Sequence, residues 1–422
     1  MIPRFLCPIL LVLVAVGSSD AATFTVTSTA DSGVGTLRNA ITLANSTPGA
    51  DTIAFNITGT GVHTITPLTV LPTITEAVTI DGYTQSSSSA NTLANGDNAV
   101  IRIDINGATV EAGQGLLAGF TIAASNCIVR GLAINTFYEQ ILISSGSGNV
   151  ISGNFIGTDA SGTMIPGSGF AEGNLGVSVQ SANNTIGGTT AAARNVIGVR
   201  GNGIENGGSA TGTMIQGNFI GTDHTGATGF GVANVGVHDG VDSITIGGTV
   251  SGARNIISGN NGDGLSLTGS NLVIQGNFIG VDVTGTKAVG NNQGVSLSGN
   301  NILLGGTTVA ARNVISGNRN RGVGLQGTFS GTLVQGNYIG VDVSGMKALG
   351  NGNEGVSIFG GSPTNHQIGG GDGHTRHPAR KYHFEQCHLR RQFKRDEQQS
   401  RRGQYHCVQW YWRQRRRWRP CA

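Results

Sequence analysis

Apolar residues in this chain come in short runs closed by Gly-Asn or Gly-Gly, and the same runs return at a near-constant interval. One block reads Gly153-Asn154-Phe155-Ile156-Gly157-Thr158-Asp159, and it recurs from Gly217 to Asp223, from Gly276 to Asp282 and from Gly336 to Asp342. Its Asn residues, 154, 218, 277 and 337, are spaced by 64, 59 and 60 residues. A second block, Arg194-Asn195-Val196-Ile197, returns at Arg254-Asn255-Ile256-Ile257 and Arg312-Asn313-Val314-Ile315. Between the two lie Ile186-Gly187-Gly188-Thr189 and its copies at Ile246 and Leu304. Runs this short, β-branched and punctuated by turn residues predict strands rather than helices. Self-similarity at a fixed period predicts a solenoid. A unit near 60 residues is too long for a single coil, so two or three coils per unit are expected. The echo of Ser316-Gly317-Asn318 in Gln335-Gly336-Asn337, 19 residues on, suggests one turn, with strands at Asn313–Ser316 and Leu333–Gln335.

In such a stack each strand pairs with its counterpart one coil above and below, which satisfies the backbone. Inward Val, Ile and Leu form apolar columns, and corner Asn residues can bond along the axis as a ladder. Phe155, Phe219, Phe278 and Tyr338 fall at equivalent positions and predict an aromatic stack. Before the repeats, Phe24–Thr27 reads as a strand and Thr36–Asn45 as a short helix, with Leu37, Ala40, Ile41 and Ala44 on one face. That helix is expected to cap the first coil, since an open solenoid leaves unpaired strand edges. Further strands are expected at Thr52–Phe55, Ala77–Ile80 and Ile101–Ile105. The organisation expected is a signal peptide (1–21), a cap with irregular coils (22–135), regular repeats (136–370) and an anomalous tail (371–422).

Composition agrees with an all-β solenoid: 70 Gly among 422 residues, 12% charged, yet 38% hydrophobic, too apolar for a disordered linker. Arg4, the apolar run Phe5–Val16 and Ser19-Asp20-Ala21 form an export signal pattern, shorter than a membrane span. A secreted or cell-surface protein is therefore expected, without a transmembrane segment in the mature chain. Cys127 is the single cysteine between the signal and the tail and is expected to be a buried small hydrophobe. The net charge of +3 is a composite. Residues 1–370 carry 12 Lys and Arg against 19 Asp and Glu, or −7, whereas 371–422 carry 14 against 4, or +10. The overall sign thus gives no argument for nucleic-acid binding.

The stretches Phe24–Thr27, Gly35–Ile41, Asp51–Phe55 and Val78–Gln85, followed by the repeats, resemble bacterial exported right-handed parallel β-helix repeat proteins of the pectin-lyase-like superfamily. The resemblance spans about residues 22–370. It implies a right-handed parallel β-helix similar to cell-surface and autotransporter passenger domains, most of which have no assigned function. It also brings in polysaccharide lyases and glycoside hydrolases. The hydrolase motifs Asn-Thr-Asp, Gly-His-Gly and Arg-Ile-Lys are absent from residues 22–370. Lys287 and Lys347 recur with the repeat, so they serve the repeat before chemistry.

No catalytic, cofactor or metal residue is assigned. Asp159, Asp223, Asp282 and Asp342 are expected to cap their own turns, with a Ca²⁺ column as the alternative. Arg194, Arg254 and Arg312 are expected to form a solvated or Asp-paired ladder, with acidic glycans as the alternative. Non-repeating polar residues are the places to look for chemistry: His238-Asp239-Gly240 with Asp242, and Tyr138-Glu139, each also readable as a surface loop. The expected function is a non-enzymatic scaffold or adhesin-like protein contacting extracellular polysaccharide or the cell envelope. The alternative is a polysaccharide lyase or hydrolase of the same fold.

After Gly371 the composition breaks to Arg, Gln, His, Cys and all three Trp. A shifted reading frame explains this. Read from the second base of each codon, Trp410, Trp412 and Trp418 all become Gly, and Lys381–Glu385 accommodates the Asn-Ile-Ile-Ser of Asn255–Ser258. The coding DNA checks it: read one base on, codons 371–422 should continue the repeat, and stops or repeat-unlike sequence would refute the shift.

Overall fold

A computed structural model describes residues 21–110, 117–167, 174–231, 233–360 and 364–369. Residues 1–20 of the expected signal peptide and the whole of the expected tail, with the frame change inferred for it, lie outside the described residues. The described chain is built almost wholly of short strands, with one α-helix at Leu37–Ala44. The strands form three sheets of twelve (sheet A), ten (B) and nine (C) strands. Every strand pairing within them is parallel, for example Val150 with Thr185 in A, Phe155 with Val196 in B and Val177 with Ile204 in C. The chain visits A, B and C in turn: Thr245–Gly247, Ile256–Ile257 and Leu265–Leu267 complete one coil before Val273–Gln275 re-enters A. This is a parallel β-helix solenoid.

Alternation within strands fills the interior. Ile186, Ile215, Ile246, Ile274 and Leu304 form one fully buried column in sheet A, and Ile197, Ile220, Ile257, Ile279 and Ile315 form another in B. One continuous hydrophobic cluster runs from Val26 to Val356. The helix expected near the N-terminus is present, with Thr36 as N-cap and Leu37, Ala40, Ile41 and Ala44 buried. These side chains join the same cluster beside the first two strands of sheet A. Cys127 is fully buried, as its setting in the sequence predicts.

Corner asparagines tie the coils together. Asn154, Asn195, Asn218, Asn255, Asn277, Asn313 and Asn337 form a ladder in which each side-chain amide donates to the next residue's Oδ1, at 2.9 to 3.3 Å. The same amide donates back to a sheet A carbonyl of the preceding coil, Ile215 for Asn255 and Ile246 for Asn277. A second ladder, Asn260, Asn291, Asn318 and Asn351, follows sheet B. Gly247 and Gly305, at positive φ, make room for the first ladder, since a Cβ there would collide with Gln275 O and Asn277, or with Gln335 O and Asn337.

Two expectations about the repeat need correction. Asn318 and Asn337 belong to different ladders, so the 19-residue echo relates two corners and not one turn. Successive rungs of the first ladder are separated alternately by 41, 23, 37, 22, 36 and 24 residues. Long and short coils alternate, and a pair of them makes the unit near 60. For the same reason the aromatics do not touch in a continuous stack. On the outer side of sheet B the order is Phe155, Val196, Phe219, Ile256, Phe278, Val314, Tyr338, with an aliphatic residue between each pair of rings. This column forms two small apolar clusters of its own, outside the main core.

Replacing Asn255 with Ala removes donors to Ile215 O and Asn277 Oδ1 and an acceptor for Asn218. The expected loss is about 3 kcal/mol, because buried partners are left unsatisfied. Exposed Asn56→Ala should lose less than about 1 kcal/mol. Chemical denaturation midpoints of the two variants test the ranking.

Candidate functional site on the outer face of sheet C

The recurring polar residues are taken up by architecture. Asp159 Oδ1 accepts from Thr163 N (3.1 Å) and Met164 N (3.0 Å), and Asp282 Oδ1 accepts from Thr286 N (3.0 Å) and Lys287 N (3.1 Å). Asp223 and Asp342 do the same. These carboxylates cap their own turns, as their Asp-x-x-Gly setting predicts. The capped loops stack two coils apart, with His224 N donating to Gly162 O, Val283 N to Gly226 O and Val343 N to Gly285 O.

The arginines behave differently from expectation. Arg194 lies 4.4 Å over the Phe219 ring, Arg254 4.2 Å over Phe278 and Arg312 4.0 Å over Tyr338. None forms an ion pair with Asp among the described residues, and Arg194 is only 7% exposed. An Asp-paired ladder is therefore replaced by ring stacking. The rings come from the next coil, where a guanidinium face finds a negative π surface.

What remains is a set of polar residues that do not recur, and strand register gathers several of them on one face. Glu139 aligns with Leu175, and Ser178, Glu205, His238 and Ser266 align across four consecutive coils of sheet C. Asn202 Nδ2 donates to Glu205 Oε2 at 2.8 Å, while His238 Nδ1 lies 4.0 Å from Glu205 Oε1. Burial pushes the Glu139 carboxyl above the ordinary range. A hydrogen bond from Ser178 opposes this, and the charge of Glu205 adds to it. Farther along, Asp263, Gln293, Arg321 and Glu354 line the start of the same strands, with Gln293 Nε2 donating to Asp263 (3.1 Å) and Arg321 paired with Glu354 (3.1 Å). Adjacent coils present these groups about 4.8 Å apart, the spacing of paired strands.

The sequence singles out His238 and Glu139, and the structure places both on this face. It does not bring in Asp239 or Asp242. Asp239 points into the interior, fully buried, in the column Val179, Asn206, Asp239, Leu267, Leu297. Asp242 Oδ1 accepts from Ser270 N at 2.7 Å in a turn. Tyr138 contributes its carbonyl to Leu175 N. Sequence reasoning passes over Ser178, Asn202 and Glu205. Aligning each coil on its sheet C strand finds them, because Ser178 and Glu205 fall where later coils carry Ser266 and Ser296, and Asn202 falls where the next coil carries Val235. Among the described residues no three His, Cys, Asp or Glu are grouped as a metal site, and no helix is long and apolar enough to cross a membrane.

No family model and no curated protein matches the sequence. Among solved structures, the A-module of mannuronan C-5 epimerase AlgE6 from Azotobacter vinelandii is similar at 11% identity and a TM-score of 0.37, over 82% of this chain and 75% of that one. The AlgE4 A-module of the same organism matches at 11% identity and a TM-score of 0.38, over 83% and 96%. PfbA, a surface adhesin of Streptococcus pneumoniae, matches at 12% identity and a TM-score of 0.23, over 79% and 86%. The three all-parallel sheets fit the pectin-lyase-like β-helix that the sequence resembles.

Asp239 makes stability depend on pH. Burial pushes its carboxyl up to about 7; the Val241 N–H and the Asn206 amide oppose this, and Asp242 adds to it. The folded chain therefore holds this proton after the unfolded chain has lost it. Stability is full below the ordinary carboxylate range, falls by about 1.4 kcal/mol per pH unit up to about 7, and is level above. The total is on the order of 4 kcal/mol. Denaturation of the wild type at pH 5 and pH 8 should show about 3 kcal/mol of this loss, and Asp239→Asn should abolish most of the difference.

Proposed function

We propose that this chain is a secreted, right-handed β-helix scaffold of the cell surface, capped at its first coil by the Leu37–Ala44 helix, which binds an extended glycan along sheet C without transforming it. The observation that carries the reading is a division of labour among polar residues. Those that recur with the repeat hold coils, cap turns or cover rings, whereas Glu139, Asn202, Glu205 and His238 do none of these and lie together on the outer side of sheet C. A row of donors and acceptors stepping by about one strand spacing suits a polymer lying along the axis. The outer face of a sheet is a rigid platform, so little ordering free energy opposes binding.

A second reading rests on one feature of the same face. Glu139 has a raised carboxyl and lies within the field of Glu205, the pairing a carbohydrate-cleaving site requires of an acid and a base. Incubating the purified protein with acidic and neutral polysaccharides separates the two. The scaffold reading expects retention on at least one polysaccharide with no new reducing ends and no unsaturated products. Glu205→Gln combined with His238→Ala should weaken that retention by about tenfold or more, with the fold unchanged. Product formation abolished by Glu139→Gln would establish the enzyme instead.

A further inference from the structure

The repeat lets one part of the molecule be compared with another. Arg194, Arg254 and Arg312 are equivalent, each stacked on a ring, but only Arg194 is covered. A turn of the chain itself closes over it. Arg194 Nη1 donates to the carbonyls of Leu93 (3.1 Å) and Gly96, and Nη2 donates to that of Ala94 (2.9 Å). Asn91 fastens the turn by donating to Ala191 O (3.0 Å), and Asp97 N donates to His224 O (2.7 Å). At the next two positions no described residue plays this part. Nε donates within the fold, Arg254 to Gly276 O (3.1 Å) and Arg312 to Gly336 O (2.9 Å), and both Nη groups lack protein acceptors among the described residues.

The surroundings of these two arginines are also unusual for a solvated surface. Val250 is 57% exposed, Val309 76%, Val343 40% and Met346 76%. Val309 stands where Ala191 receives Asn91, and Val343 where His224 receives Asp97. Exposed Val and Met beside an Arg held flat on a ring have the composition of an interface core. Stacking fixes the guanidinium before a partner arrives, so few rotamers are lost on binding.

We propose that the ridge formed by Arg254, Arg312, Val250, Val309, Val343 and Met346 docks a second polypeptide through a turn with converging backbone carbonyls, as residues 91–98 do at Arg194. A polypeptide is favoured over a polyanion for two reasons. The one occupant of this site type seen in the molecule is a neutral carbonyl turn, and residues 1–370 carry a net charge of −7, which repels an acidic polymer. The ridge is built on the ring-bearing outer side of sheet B and is independent of the sheet C reading.

The chain supplies its own probe. Ser89 and Val100 pair antiparallel, with backbone bonds of 3.1 and 2.8 Å, so a peptide of residues 89–100 can be cyclised at its ends in the observed geometry. Labelled, it should bind the full-length protein in a fluorescence anisotropy titration. Arg254→Ala with Arg312→Ala should weaken binding by about tenfold or more, and Arg254→Lys with Arg312→Lys should weaken it comparably, because Lys lacks the planar fork. A Gly96→Ala peptide should bind less well, since that position has φ +83°. Circular dichroism of each protein variant should match the wild type. Absence of peptide binding, or binding indifferent to both arginines, overturns the proposal. So does arginine-dependent binding of polygalacturonate or polyglutamate in place of the peptide, which would make the ridge an anion site.

Discussion

The corner asparagine is the constraint on which the coil depends. Its amide lies in a fully buried position, where an unmade hydrogen bond costs about 1–3 kcal/mol. No single coil can satisfy it. Asn255 accepts from Asn218 in the preceding coil, donates to Asn277 in the following one and returns a second donor to Ile215 of the sheet A strand below. The residue is therefore stable only as a member of a stack, and the stack is specified wherever the residue recurs. Glycine at 247 and 305, in the left-handed region, follows from the need to pass the next coil's amide and carbonyl at close range. So does the brevity of the sheet B strands, two residues in the repeats, which must end at the corner the ladder sets.

Given that constraint, alternation of long and short coils determines what the outside of sheet B becomes. A short coil carries chain from one ladder Asn to the next in 22 to 24 residues. A long coil has residues to spare, and some of them form the Asp-capped loops over the ring column. Gly226 packs against Phe219 and Gly285 against Phe278, while the arginine of the coil before covers the same ring. The outside of sheet B is thus a second, thin core. Coils in a solenoid interact with near neighbours, so this layer adds stability locally, coil by coil.

The parts of the fold legible in the sequence are those that the repeat states more than once, or that one short pattern states completely. The Asn ladder is written seven times, and the N-terminal helix carries its N-cap and its apolar face within ten residues. The 19-residue echo does not measure a coil, because Gly-Asn occurs at two different corners and a motif does not say which corner it occupies. The arginine environment was hidden because the ring beneath Arg254 belongs to Phe278, on the next coil. Glu205 and Asn202 are hidden for the opposite reason: neither recurs, and only the register of sheet C places Glu205 between Ser178 and His238.

Departure from the repeat is accordingly where this molecule admits anything besides coil stacking. Two departures sit one residue apart with opposite consequences. His238 faces outward beside Glu205, where a polar group is free to meet a ligand. Asp239 faces inward, in a column whose later members are Leu267, Leu297 and Leu325, and its Oδ2 makes no hydrogen bond. An aliphatic residue there would continue the column at no desolvation cost, so the buried carboxyl is a local weakness that grows as it ionises. The weakness lies directly beneath the face that carries the non-recurring polar residues. Tolerance of a poorly satisfied core group at that level is what a sheet selected for its outer surface as well as its stacking is expected to show.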